Sequence, residues 1–124
     1  MEENKNILII VLLGFLVFSP AVTKAANLYF SPSSGSYNIG QNFSINIFIS
    51  SSDRAMNAVS GNISFPKDKL EVVSLSKSGS IVSLWVQEPS FSNNIGTVSL
   101  EGIVLNPGFI GSGGKVITIN FKTK

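Results

Sequence analysis

From residue 43 to residue 49 the chain alternates. Phe43, Ile45, Ile47 and Ile49 fall on one parity, and Ser44 and Asn46 fall between them. A period of two puts successive side chains on opposite faces of an extended strand and conflicts with the helical repeat of about 3.6 residues. The pattern recurs where Val59, Gly61, Ile63 and Phe65 alternate with Ser60, Asn62 and Ser64. It recurs again within residues 97–105, with Val98, Leu100 and Gly102 on one parity. No stretch after residue 26 sustains a helical period. The chain must therefore build its core from pleated layers. Polar residues on alternate positions suit antiparallel sheets with one wet face.

Strands are expected at residues 28–30, 43–49, 59–65, 70–75, 81–87, 97–105 and 116–121. Clusters of turn formers separate them. Pro fixes φ, Gly accepts φ > 0, and Asn and Ser bond to their own backbone. Such clusters are Pro32-Ser33-Ser34-Gly35, Pro66-Lys67-Asp68-Lys69, residues 77–80 and Asn106-Pro107-Gly108. Residues 50–54 read as a polar break, residues 88–94 as a loop around Pro89, and residues 111–114 as a glycine-rich hinge. Short strands at this spacing predict an all-β sandwich or barrel.

The first residues differ from the rest. An apolar run over residues 7–18 is interrupted only by Gly14 and ends at Ser19-Pro20. It has the length of a signal-peptide core and falls short of the roughly 20 residues that span a bilayer. Thr23-Lys24-Ala25 offers small residues at the two positions a signal peptidase reads. The expectation is a signal peptide over residues 1–25, its apolar run forming a hydrophobic signal helix, cut after Ala25 or Ala26, and one domain over residues 26–124. The product would be secreted, extracellular or on the cell surface. The only expected membrane contact is through an uncleaved segment.

Charge and reactive groups narrow the function. Charged residues are 13% of the chain and hydrophobic residues 44%, a balance that favours a packed body over disorder. A net charge of +2 is too small for a nucleic-acid footprint. Cysteine and histidine are absent, which removes disulfides, thiol nucleophiles and every triad that needs His. The carboxylates of the body, Asp53, Asp68, Glu71, Glu88 and Glu101, lie in separate segments and offer no facing pair for glycoside hydrolysis. No catalytic residue, metal site or cofactor is expected. Asn42-Phe43-Ser44 and Asn62-Ile63-Ser64 match the Asn-glycosylation pattern. Their asparagines fall in or beside strands, and no role is assigned to them.

Four residues are candidates for a binding surface: Trp85, Ser83, Gln87 and Tyr37. If Val82, Leu84 and Val86 form the core side of their strand, Ser83, Trp85 and Gln87 share the other side. An exposed Trp there could stack on a sugar or anchor a protein interface. The alternative is that Trp85 packs in the core and the other face is wet. Tyr37, with Phe91 and Phe109, lies in a loop and either caps the core or meets a ligand.

The order of segments resembles the cohesin family. The matching residues are 28–37 with Gly40-Gln41-Asn42-Phe43, then Val59-Ser60-Gly61-Asn62-Ile63-Ser64-Phe65-Pro66, then Leu70-Glu71-Val72-Val73-Ser74. The most specific piece is Gly111-Ser112-Gly113-Gly114-Lys115-Val116-Ile117-Thr118-Ile119-Asn120-Phe121, similar to the glycine-rich turn before a late cohesin strand. The likeness implies an antiparallel jelly-roll sandwich related to cellulose-binding modules. It implies a non-catalytic partner-binding role, with a dockerin-type protein as partner. A polysaccharide partner, as in carbohydrate-binding modules, is the second expectation, and a structural domain of a surface or adhesion protein is the third. Cohesins continue for further strands after the match to residues 116–121. One of these belongs to the sheet presented to dockerin, so an open sheet edge is expected here.

Overall fold

The computed structural model describes residues 7–11, 13–17 and 26–124. The expected cleavage position at Thr23-Lys24-Ala25 lies outside the described residues. Ten strands follow in order: β1 (Ile7–Val11), β2 (Leu13–Val17), β3 (Ala26–Ser31), β4 (Ser34–Asn38), β5 (Asn42–Met56), β6 (Ala58–Ser64), β7 (Leu70–Ser76), β8 (Leu84–Ser92), β9 (Thr97–Ile103) and β10 (Phe109–Thr123). There is no helix among the described residues, in keeping with the all-β expectation.

The strands form two four-stranded sheets and one short pair, all antiparallel. The first sheet runs β3-β5-β10-β7 and the second β2-β6-β9-β8, while β1 pairs with β4. The alternation seen in the sequence sets which residues face inward. Ile45, Ile47 and Ile49 of β5 and Ile117, Ile119 and Phe121 of β10 are buried, as are Val59 and Ile63 of β6 and Val98 and Leu100 of β9. The inner faces of the two sheets form one continuous core. Phe121 is fully buried in it. Phe43 stacks on it with centroids 5.4 Å apart, and Phe65, just past β6, meets it edge-on, also at 5.4 Å. This aromatic trio ties the two sheets together.

Four segments depart from the sequence expectation. Residues 34–38, read as turn and loop, form β4 paired with β1, so Tyr37 is a strand residue, as are Phe91 of β8 and Phe109 of β10. Residues 50–54 are not a break, because β5 continues through them to Met56. Its partner β10 is equally long and pairs Gly111 with Ser51 and Phe109 with Met56. Between these two pairs the register shifts and residues 52–55 have no Cα partner in β10 or β3, so the polar run bulges from the ladder before the pairing resumes at Met56. Ser51 is buried, and its hydroxyl donates to the Arg54 carbonyl at 2.5 Å.

Residues 111–114 are not a hinge. They lie inside β10, where the register with β5 shifts. A Cβ at Gly114 would stand 2.8 Å from Ile81 Cδ1 and from the Phe109 ring, so the glycine makes room for close packing. Residues 88–92 are not a loop either, and only Asn93 and Asn94 of the expected loop lie in the turn. β8 runs past Pro89 to Ser92, and the proline falls in the interval between Gln87 and Ser90 where pairing with β9 slips. An outer strand tolerates a missing N–H at such a slip.

Side chains also close the ends of the sandwich. Asn93 accepts from the Val72 N–H at 2.8 Å and donates to the Val72 carbonyl at 3.1 Å. It thus behaves as a short strand on the free edge of β7, linking it to the β8–β9 turn of the other sheet. Asn93→Ala leaves both Val72 groups unpaired in a part-buried setting. We expect a loss of about 1–3 kcal/mol in urea unfolding, with faster amide exchange at Val72.

Candidate binding surface

The second sheet presents an outer face whose rows follow from the pairing register. Ala58 stands opposite Ile103, and Ile103 opposite Leu84. The next rows are Ser60–Glu101–Gln87, Asn62–Ser99–Ser90 and Ser64–Thr97–Ser92. One end of the face is therefore apolar and the rest is hydroxyl, amide and carboxylate. Leu84 is 53% exposed and Val86, beside it at the register slip, is 58% exposed. Ser99 Oγ donates to Asn62 Oδ1 at 3.2 Å across the strands.

The candidate residues from the sequence do not gather on this face. Trp85 is half-buried and turned inward. It pairs with Gly102 and packs against the core cluster. A Cβ at Gly102 would stand 3.2 Å from Trp85 Cε3, so the absent side chain makes the space that the indole uses. The expected core side of Val82, Leu84 and Val86 is corrected accordingly: only Val82 is buried. The register slip between Trp85 and Gln87 breaks the simple alternation of that segment. Gln87 lies on the outer face, opposite Glu101. Ser83 is exposed just before β8. Its N–H donates to the Ile103 carbonyl at 2.9 Å and its hydroxyl accepts from the Leu105 N–H at 3.4 Å. Tyr37 is far from the other three in the topology. It stacks on Phe43 with centroids 3.8 Å apart and packs against the core, which is the capping alternative.

The outer face of the first sheet is different in kind. Ser44 Oγ donates to Asn120 Oδ1 at 2.6 Å, Asn120 Nδ2 donates to Ser74 Oγ at 2.9 Å, and Thr118 Oγ1 donates to Asn46 Oδ1 at 2.6 Å. These polar groups satisfy one another. The aromatic content is one pair, Tyr29 and Phe48, stacked at 5.4 Å. The Tyr29 hydroxyl is itself engaged, donating to the Ser112 carbonyl at 2.8 Å. A shallow hollow of about 300 Å³ lies beside this ladder, lined by Asn42, Phe43, Ser44, Val73, Asn120 and Phe121.

Among the described residues no group of three or more His, Cys, Asp or Glu comes together. Glu88 pairs with Lys77 at 2.6 Å on the surface. Sequence reasoning missed Ala58, Ile103 and Leu84 as a row. The signal that could have found them is an apolar residue on the solvent parity at the end of each strand. Comparisons with protein-family models, with curated proteins and with solved structures gave no match.

Proposed function

We propose that the chain is an exported, non-catalytic binding module of the cohesin kind, holding a dockerin-type protein on the outer face of the second sheet. The observation that carries this reading is the row Ala58–Ile103–Leu84 beside polar rows on one face. Stable protein interfaces place an apolar centre next to a polar rim, and a few large side chains carry most of the energy. The jelly-roll arrangement is part of the same reading. In its support, the chain crosses between the two sheets at β5–β6, β6–β7, β7–β8 and β9–β10.

A polysaccharide partner is the second reading. Its support is the Tyr29–Phe48 pair beside the hydroxyl and amide ladder of the first sheet. A glycan platform works best with several aromatic faces in line, and Trp85 is turned away. The protein-binding reading is therefore preferred.

The test is a titration of the purified chain with a panel of dockerin-type modules, alongside pull-down on insoluble cellulose. Leu84→Asp places a charge in the apolar row while leaving the core untouched. We expect at least about a tenfold loss of affinity for the protein partner, with an unchanged melting temperature. Retention on cellulose that is lost in Tyr29→Ala and indifferent to Leu84→Asp would favour the glycan reading instead.

A further inference from the structure

An edge strand presents a row of unpaired N–H and C=O groups, and a folded protein covers such a row or risks pairing with another chain. Among the described residues, the β6 edge of the second sheet is covered by β2 alone. The ladder is antiparallel and runs from Leu13 opposite Ser64 to Val17 opposite Ser60. The covering segment belongs to the N-terminal apolar run, which the sequence reads as an export signal. Residues 18–25 separate it from the body. Hydrolysis after Ala25 or Ala26 would thus remove the strand that closes this edge. An apolar segment can serve as a helix at the membrane and as a strand in the folded chain, because each state satisfies its backbone.

We propose that residues 60–64 of β6 form a strand-receiving site. The N-terminal segment fills it in cis before processing, and an extended apolar strand of the bound protein partner fills it afterwards. This rests on the export and protein-binding readings above. Continuity with the candidate face supports it. With β2 removed, Ser60, Asn62 and Ser64 are the outermost members of that face, so a strand added there widens the same surface. The register also states the chemistry of the guest. Gly61 and Ile63 are the residues of β6 within this span that face the core, paired with Leu100 and Val98. In the cis ladder Leu16 stands opposite Gly61 and Gly14 opposite Ile63. A guest strand therefore needs a small residue opposite Ile63 and a large apolar one opposite Gly61, two positions later. The alternate positions of the cis strand, Leu13, Phe15 and Val17, are apolar too. Main-chain bonds supply affinity and this size pattern supplies selectivity, as in other strand-addition complexes.

Two measurements decide it. The chain has no cysteine, so the full-length double variant Phe15→Cys, Asn62→Cys reports the cis ladder directly. These positions are Cα partners. Under mild oxidation we expect an intramolecular disulfide, and much less of one in the off-register pair Phe15→Cys, Ser60→Cys. The second uses processed protein from the medium of an exporting host, its N-terminus fixed by mass. A labelled peptide carrying Leu13–Val17 between lysines should bind it saturably. The Leu16→Lys peptide should bind at least about tenfold more weakly, and the unprocessed chain should ignore both. No disulfide in the on-register pair, an exported product that keeps its N-terminus, or a processed product indifferent to the peptide would each overturn the proposal. Dockerin binding that persists while peptide binding fails would remove the strand-receiving site and leave the binding module standing.

Discussion

Phe121→Ala should come close to unfolding the domain. The side chain is fully buried between Phe43 and Phe65 and is contributed by a strand in the middle of the first sheet. Truncating a buried Phe removes its transfer energy and leaves a cavity, at a cost of about 3–5 kcal/mol. Whole domains are stable by only about 5–15 kcal/mol. For roughly a hundred residues each kcal/mol moves the melting temperature by about 4–8 °C, so a fall of more than about 12 °C is expected. Phe121→Leu retains most of the volume and should lose markedly less. Equal losses for Leu and Ala would mean that the aromatic stack, and not the filled space, holds the two sheets together. Calorimetry on the two variants separates these outcomes.

Gly96→Ala should cost nearly as much for a single added methyl group. Gly96 has φ of 82°, and a Cβ there would stand 2.6 Å from the Phe65 carbonyl oxygen. A left-handed backbone costs a non-glycine residue about 1–3 kcal/mol. Forcing an atom into packed surroundings costs about 1–3 kcal/mol more. The position is also tied on both sides. The Gly96 N–H donates to the Ser92 carbonyl at 2.8 Å, and its carbonyl accepts from the Phe65 N–H at 2.9 Å. The chain cannot swing away without breaking the junction between the β8–β9 turn and the end of β6. Gly40→Ala is the control. Its φ is 86°, but nothing lies within 4 Å of the added carbon. It should show the backbone cost alone, and urea unfolding of the two variants measures the difference.

Much of this architecture was legible from period-two alternation. The inward parity of β5, β6 and β9 follows directly from Ile45-Ile47-Ile49, Val59-Ile63 and Val98-Leu100. What local pattern could not reveal was long-range pairing. Residues 50–54 look like a loop until β10 is laid beside them, and residues 111–114 look like a hinge until Ile81 and Phe109 are seen filling the space a Cβ would take. Trp85 stayed open between a core and an exposed position for a related reason. Its facing residue is Gly102, and a register slip follows it, neither of which hydrophobicity in residues 82–86 discloses. The candidate face was legible only at Gln87. Its apolar row joins residues from three separate strands, and only the register brings Ala58, Ile103 and Leu84 into line.

The order in which the ten strands are made has a kinetic consequence. β10 lies between β5 and β7, so the first sheet has no interior until the most C-terminal strand arrives. Its partners along β5 are some sixty to eighty residues upstream, as with Gly111 and Ser51 or Lys122 and Asn42. Closing such wide loops before any contact rewards them makes folding slow, in the millisecond-to-second range typical of sandwiches. A nascent chain lacking residues 109–123 can pair the strands of the second sheet but has no partner sheet to bury its inner face, so the core forms only when the last strand is in place.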